Sequence, residues 1–382
     1  MMTRRGFLGS VMGGALAASG FGIRTARAQG FAVPLLDPQS ILKYVTPLVI
    51  PPQMPRSGKF TTRGGKNLDY YEIAVRQFGQ QILPPGFPPT AVWGYGSAND
   101  ASTFNFPAFT IEATWDQPVV VKWINGLVDD NGFSLPHLLP VDPTLLWANP
   151  PGGVSGRDTR PRFNSTPGPY TGPVPISTHL HGAHAQQHSD GHPLGWFLPA
   201  ANDIPLGYAR TGSFYQLFRA LSPYGNLWTP GSAVLDYPND QPATTLWYHD
   251  HTMGITRLNV QSGLAGFYLI RGGPYDQVDG RLPGPAPFWP NPPGQQGKYH
   301  EIPIVIQDRS FNADGSLFYP DSRAFFDGFA GPYIPTQGHR TTFVTDCNVR
   351  TYDLVLVRQL IANLWLSRTC DLSAATLGLQ IP

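Results

Sequence analysis

Apolar and polar residues alternate along several short segments of the chain, with the period of two that is typical of half-buried β-strands. The segments are residues 70–75, 109–113, 119–124, 245–248, 264–270 and 302–306. Turns that contain glycine and proline separate them. The pattern therefore predicts an all-β fold, a Greek-key β-sandwich or barrel.

Composition agrees with this prediction. The 382 residues include 42 glycines and 41 prolines, and only 13% are charged, which is typical of a chain of short strands and turns. The segment 140–175, rich in proline and glycine, is predicted to be a surface excursion, and the run 280–297 is the best linker candidate. The formal net charge of +1 gives no electrostatic reason to expect nucleic acid as a partner.

The first 30 residues have the features of an export signal. Arg4 and Arg5 form a twin-arginine pattern, a glycine- and alanine-rich run follows, and Ala26-Arg27-Ala28 offers a cleavage site. The alternative is a membrane anchor, but the apolar run 7–23 is at the short limit for crossing a bilayer. We therefore expect twin-arginine export to the periplasm or beyond, with no membrane contact after the signal is cleaved.

Two His-x-His pairs carry the clearest chemistry in the chain: His179 with His181, and His249 with His251. In a strand, residues i and i+2 project to the same face, so each pair brings two imidazoles over one patch. Two such strands side by side offer four nitrogens, a donor set that suits copper, zinc, iron or nickel. A single pair is often a surface accident, but two pairs among ten histidines indicate a metal site.

The stretches around these pairs resemble a known family. THLHGAHAQQHSDGHPLGWF at 178–197 and LWYHDHTMGITRLNVQSGLAGFYLI at 246–270 resemble the first cupredoxin domain of multicopper oxidases, with bacterial spore-coat laccases, bilirubin oxidases and phenoxazinone synthases as the nearest types. The resemblance implies a cupredoxin-like fold with one complete domain, residues 31–295. Residues 296–382 would form a partial second domain in an apparently truncated chain.

The resemblance also implies a role for each histidine of the two pairs. By the family pattern, His179 binds the type 2 copper, while His181, His249 and His251 bind the paired type 3 coppers. Asp250 projects to the opposite face of its strand and is excluded from the ligands.

Asp190 falls where relatives carry an acidic residue that helps to protonate reduced oxygen, and we assign it as the candidate catalytic residue. The alternative is that it caps the Ser-Asp-Gly turn. Trp247 and Tyr248 are predicted to pack the strand. Three further histidines are predicted to lie in loops or to support the ligands: His184, His188 and His192.

The rest of the family's site is missing from the sequence. Its third domain carries a His-Pro-x-His-x-His motif and a His-Cys-His motif, which complete the cluster and form the blue type 1 copper site. Neither motif occurs here, and the two cysteines, Cys347 and Cys370, are not flanked by histidine. The resemblance therefore implies half of the ligands of the type 2 and type 3 cluster and no type 1 site. From about residue 335 the family resemblance fades, through either a shifted reading frame or a divergent C-terminus.

These observations predict an exported, copper-dependent oxidoreductase of the laccase type. Its reaction would couple one-electron oxidation of phenolic, aromatic or metal-ion substrates to the reduction of dioxygen to water. We expect the lone chain to be inactive, or to depend on a chain that supplies the missing domain. The alternative is a non-catalytic copper-binding or structural cupredoxin scaffold in the periplasm.

Overall fold

A computed structural model describes residues 33–61, 65, 67–163, 167–274 and 303–321. Within them the strands are β1 (Gly58–Thr61), β2 (Asn67–Gln80), β3 (Thr90–Ser97), β4 (Ala108–Thr114), β5 (Val119–Asn125), β6 (Thr178–His181), β7 (Ser232–Tyr237), β8 (Thr244–Asp250), β9 (Ala265–Arg271), β10 (Ser310–Phe311) and β11 (Leu317–Phe318). Three short α-helices accompany them: α1 (Gly153–Gly156), α2 (Tyr215–Leu221) and α3 (Thr256–Ser262). The predicted all-β class is confirmed.

The strands form two sheets and a separate hairpin. In the first sheet β2 pairs with β1 and β3 along one edge and runs parallel to β5 along the other, and β7 follows β5. In the second sheet the order is β4-β9-β8-β6, with β4 parallel to β9 and the remaining pairs antiparallel. Strands that are distant in sequence are thus neighbours in both sheets, as in the cupredoxin-like Greek-key sandwich that the resemblance implied.

Aromatic side chains join the two sheets across a shared core. Tyr95 in β3 lies 5.2 Å from Tyr248 in β8, measured between ring centroids, and Tyr237 in β7 lies 5.8 Å from Tyr268 in β9. All four rings are almost completely buried. Such tilted or edge-to-face contacts add to the free energy gained by removing the rings from water. The core therefore lies between the sheets and supports the inner face of β8.

Helix α3 returns the chain from the end of β8 into β9, its neighbour in the sheet. Gly263 ends the helix with φ +130°, and its N–H donates to the carbonyls of Asn259 and Val260. A Cβ at Gly263 would lie 2.0 Å from the carbonyl oxygen of Trp93. Only glycine fits this turn, because the backbone is both left-handed and in direct contact with β3.

The hairpin β10–β11 packs against the end of helix α3. Arg309, just before the hairpin, is buried, and its guanidinium donates to the backbone carbonyls of Val260 and Gln261. The same group lies 4.0 Å above the ring of Phe106. The carbonyls at a helix C-terminus carry partial negative charge, so this cation stabilises the end of α3.

Five of the six strands predicted from alternation are confirmed and correspond to β2, β4, β5, β8 and β9, although β9 begins one residue later than predicted. The prediction for 302–306 is wrong, because residues 303–306 form no strand. Pro303 lacks a backbone donor, and the side chain of Ile306 is 57% exposed. The export signal, the boundary near residue 295, the two cysteines and the divergent C-terminus all lie outside the described residues.

The prediction that 140–175 is a surface excursion is only partly right. The segment has little regular structure, but Val141, Trp147 and Val174 are each at most 2% exposed. Proline and glycine predict turns and say nothing about the burial of the large side chains between them. No helix among the described residues is long and apolar enough to cross a lipid bilayer.

Candidate metal centre

The two His-x-His pairs lie on adjacent antiparallel strands. His179 in β6 is the direct partner of His249 in β8, so the two imidazoles leave the sheet side by side on the same face. His251 follows the last residue of β8, and its N–H donates to the carbonyl of Ser177 over 2.7 Å, which continues the pairing. Both pairs therefore meet at one end of the second sheet.

The four imidazoles converge. Ring centroids are 5.5 Å apart for His179 and His249, 5.5 Å for His181 and His249, and 4.8 Å for His179 and His251. One nitrogen from each of His179, His181 and His249 lies within 4.8 Å of the other two. Three of the four sequence-predicted ligand residues therefore form this group, and the fourth, His251, lies beside it, with its ring centroid 4.8 Å from that of His179.

Backbone carbonyls fix the proton position in two of the rings. Nδ1 of His249 donates to the carbonyl of Asp250 over 2.7 Å, and Nδ1 of His179 donates to the carbonyl of Asp190. A carbonyl can only accept, so the neutral tautomer of each ring leaves Nε2 with a free lone pair. Nδ1 of His181 lies 3.2 Å from Nε2 of His249, so these two nitrogens face the same space.

Burial favours the neutral form of three of the imidazoles, those of His181, His249 and His251. Desolvation, followed by the other imidazoles, lowers the pKa of His249 to about 3 and that of His251 to about 4. Desolvation also lowers the pKa of His181. Neutral imidazole is the form that binds a metal. Nδ1 of His251 is buried without a hydrogen-bond partner, and an all-nitrogen donor set of this kind fits copper.

Comparison with known proteins agrees with this chemistry, although no protein-family model matches the chain. A laccase from Haloferax volcanii is 33% identical over 367 residues, which cover 93% of this chain and 50% of that protein. A laccase from Bacillus stratosphericus is 32% identical over 311 residues, covering 75% and 47%. The chain belongs to the multicopper oxidase family. It spans about half the length of the curated multicopper oxidases that it matches. The crystal structure of a multicopper oxidase from Pediococcus acidilactici aligns with 77% of this chain and 40% of its own, at 19% identity and a TM-score of 0.42.

Asp190 lies beside the imidazole cluster. Its carboxylate oxygen Oδ1 is 3.5 Å from Nδ1 of His179, and the side chain is 47% exposed. Its backbone carbonyl holds the same imidazole nitrogen. The carboxylate is therefore in contact with both solvent and the imidazole cluster.

Asp250, which separates the second pair of histidines, has a different environment. Its carboxylate accepts from the N–H of Ser177 over 3.1 Å, the N–H of Thr252 over 3.0 Å and the Thr252 hydroxyl over 2.9 Å. Burial raises the pKa of Asp250 to about 6. It lies on the opposite face of its strand from the imidazoles, as alternation predicted.

The three loop histidines take other partners. His188 Nε2 lies 3.2 Å from Asp236, and His184 Nδ1 lies 3.4 Å from Asp240. His192 accepts from the N–H of Leu194 through Nδ1 over 3.1 Å. In the described part of the chain none of them joins the ligand group, in agreement with their irregular spacing.

Two parts of the site were missed by sequence reasoning. The indole of Trp247 stacks on the imidazole cluster, while Tyr248 is buried in the core as predicted. Asp236 and Ser189 hold the turn that precedes Asp190: the Ser189 hydroxyl donates to Asp236 over 2.6 Å and accepts from its N–H over 3.0 Å. A sequence signal existed for Trp247, because it lies two residues before His249 and therefore projects to the same face of the strand. No such signal marks the hydrogen bond between Ser189 and Asp236, which are 47 residues apart.

Proposed function

We propose that the four imidazoles bind copper as half of a type 2 and type 3 copper cluster in a laccase-type oxidase. The observation that carries the proposal is the convergence of ring nitrogens from His179, His181 and His249 within 4.8 Å of one another. His179 is assigned to the type 2 copper, and His181, His249 and His251 to the type 3 pair. The named relatives are laccases and multicopper oxidases, which supports this assignment.

The reaction proposed is one-electron oxidation of phenols, related aromatics or metal ions, coupled to reduction of dioxygen to water. Bound copper would supply the one-electron steps that four-electron reduction of dioxygen requires. The chain itself supplies two imidazoles, those of His179 and His249, whose Nδ1 atoms are held by the carbonyls of Asp190 and Asp250. The orientation of these rings is thus set by the backbone before any metal binds.

Asp190 is proposed as the residue that delivers protons to the cluster. Its carboxylate is partly exposed and lies 3.5 Å from His179. It can therefore take up a new proton from solvent after it has given one to the cluster. A role as a turn cap is the alternative. The two differ in their consequences, since a turn cap affects stability and a proton donor affects the pH dependence of turnover.

The sequence contains no His-Cys-His run, so we expect it to lack a type 1 copper site and to hold copper without oxidase turnover on its own. The remaining ligands would come from a further domain or a partner chain. This same observation favours a second candidate function, a copper-binding or structural scaffold without catalysis. Because residues 1–30 have a twin-arginine pattern, we place either function in the periplasm or outside the cell.

Copper binding by the purified full chain tests the proposal. Copper would be titrated against a coloured chelator, with the stoichiometry checked by metal analysis. We expect wild-type protein to bind copper and the double variant His249→Ala, His251→Ala to lose it. His184→Ala is the matched control, because that imidazole is exposed and lies outside the cluster. Equal binding by wild type and the double variant would refute the copper site.

Oxidase activity separates the two candidate functions. Dioxygen consumption would be measured with a phenol as reductant, first with the copper-loaded chain alone and then with protein co-purified from its native host. Dioxygen consumption by the co-purified preparation, but not by the copper-loaded chain on its own, indicates an oxidase that is completed by a partner. Copper binding without consumption in either preparation indicates the scaffold.

A further inference from the structure

Trp247 is stacked on two of the candidate ligands. Its indole lies 4.1 Å from the imidazole of His249, at an interplanar angle of 29°. It lies 5.4 Å from the imidazole of His181, at 28°. Trp247 is the direct partner of His181 across β6 and β8 and precedes His249 by two residues on the same strand. Strand geometry therefore places the indole on the same face as the imidazoles.

The ring of His181 has less support from hydrogen bonds than the rings of His179 and His249. Nδ1 of His179 and Nδ1 of His249 are each held by a backbone carbonyl. Among the hydrogen bonds of the described residues, the ring of His181 takes part only in the contact of its Nδ1 with Nε2 of His249, over 3.2 Å. Metal binding by either of these two nitrogens would replace that contact. The flat face of Trp247 is then what restrains the His181 ring.

We propose that Trp247 is a positioning residue that holds the imidazoles of His181 and His249 in the orientation for metal binding. The proposal rests on the copper site proposed above. A flat indole against two rings limits their rotation about χ2, so less conformational freedom is lost when a metal binds. Residues that orient metal ligands typically contribute about 10-fold to 100-fold in metal affinity.

The role requires an aromatic face and not a particular volume. We therefore expect Trp247→Leu to weaken copper binding about 10-fold, whereas Trp247→Phe retains most of the affinity because the ring remains. Trp247→Val, whose β-branched side chain suits a strand, is a second non-aromatic variant in case the leucine variant fails to fold. Trp115→Leu is the matched control. Trp115 is half-buried, and its N–H donates to the carbonyl of Arg271 at the end of β9. The histidine cluster lies at the other end of this strand, where Ala265 pairs with His249.

A spectroscopic signature separates positioning from general stability. Cu²⁺ close to an indole quenches its fluorescence, so part of the tryptophan emission of the wild type is expected to disappear during the titration. This part is expected to be missing in Trp247→Phe, while the chelator competition shows near-wild-type affinity. Loss of packing alone would lower the thermal stability without producing that combination.

Chelator competition and fluorescence are measured together on wild type, the three Trp247 variants and the Trp115 control. The proposal is supported if both non-aromatic variants weaken copper binding, Trp247→Phe restores it without the quenched component, and Trp115→Leu matches wild type. It is overturned if wild type binds copper and either folded non-aromatic variant binds within about threefold of it. If wild type binds no copper, the proposed copper site fails and this role falls with it, so the two failures are distinguishable.

Discussion

Gly191 lies directly against Thr178: a Cβ on Gly191 would be 2.0 Å from the Thr178 carbonyl oxygen, and the residue has φ +74°. The loop that contains Gly191 can approach β6 this closely only because glycine has no side chain. The contact places the carbonyl of Asp190, the preceding residue, against Nδ1 of His179. A glycine in a loop therefore sets the orientation of a candidate metal ligand.

We predict that Gly191→Ala displaces the loop from β6. Alanine is strained at positive φ, and its Cβ has no space, so the free energy of unfolding should fall by about 2 kcal/mol or more. Copper affinity should fall as well, because His179 loses the carbonyl that orients it. Denaturant unfolding and chelator competition measure the two effects. Gly207→Ala is the control, since a Cβ there meets nothing within 4 Å; equal losses in both variants would contradict the prediction.

Ser189→Ala tests the anchor of the same loop. The hydroxyl of Ser189 is buried, donates to the partly buried Asp236 carboxylate over 2.6 Å and accepts from the Asp236 N–H over 3.0 Å, so its removal breaks both hydrogen bonds. A loss of about 1–3 kcal/mol in the free energy of unfolding is expected. Ser40→Ala, which removes an exposed hydroxyl that donates to the carbonyl of Asp37, should cost much less. Urea titrations of the two variants would settle the matter, and an unchanged Ser189→Ala midpoint would rule out the anchor.

The candidate ligands were predictable because their information is local. A spacing of two residues places both imidazoles of a pair on one strand face, and this holds whatever the rest of the fold is. The direct pairing of His179 with His249 could not be derived, since register depends on how the whole sheet packs. The hydrogen bond between Ser189 and Asp236 joins residues 47 positions apart, and one sequence carries no signal for such a contact.

The predictions for 302–306 and 140–175, which were wrong or only partly right, failed for the same physical reason. Alternation at 302–306 satisfied the strand pattern, but a strand also needs a partner, and the described residues 303–306 have none. In the segment 140–175, glycine and proline predicted turns correctly, yet Trp147 is 1% exposed. Local sequence thus predicts backbone conformation better than it predicts what a segment packs against.

Arg309→Lys tests the contact between the hairpin and helix α3. The guanidinium donates to two carbonyls at the helix end and lies over Phe106, whereas an ammonium cannot make this forked, stacked contact. Thermal unfolding should show a loss of about 1–3 kcal/mol. Arg257→Lys is a control on helix α3, because Arg257 is exposed and its guanidinium lies farther from an aromatic ring, 5.3 Å from that of Tyr319. Similar small losses in both variants would show that the two hydrogen bonds from the buried Arg309 guanidinium contribute little to the free energy of unfolding.

We predict that His137 makes the stability of the fold sensitive to acid. Its Nδ1 accepts from the N–H of Leu139 over 2.9 Å, so Nε2 carries the hydrogen and donates to Oδ1 of Asn259 over 2.9 Å. Burial lowers the pKa of His137 from 6.5 to about 3. As the pH falls below 6.5 the unfolded chain takes up a proton that the folded chain refuses. The stability contributed by the neutral ring is therefore fully present above pH 6.5 and is lost as the pH falls towards 3.

His137→Asn removes this titration and keeps an acceptor near the position of Nδ1. Asp250 acts in the opposite direction: its pKa is raised from 3.8 to about 6, so it adds stability as the pH falls through that range. Because Asp250 is present in both proteins, its effect cancels in the difference between them. The stability of wild type relative to His137→Asn should fall by about 1.4 kcal/mol per pH unit between roughly pH 6 and 4. Urea titrations at several pH values measure this difference, and parallel stability curves would show that His137 is not the acid-sensitive group.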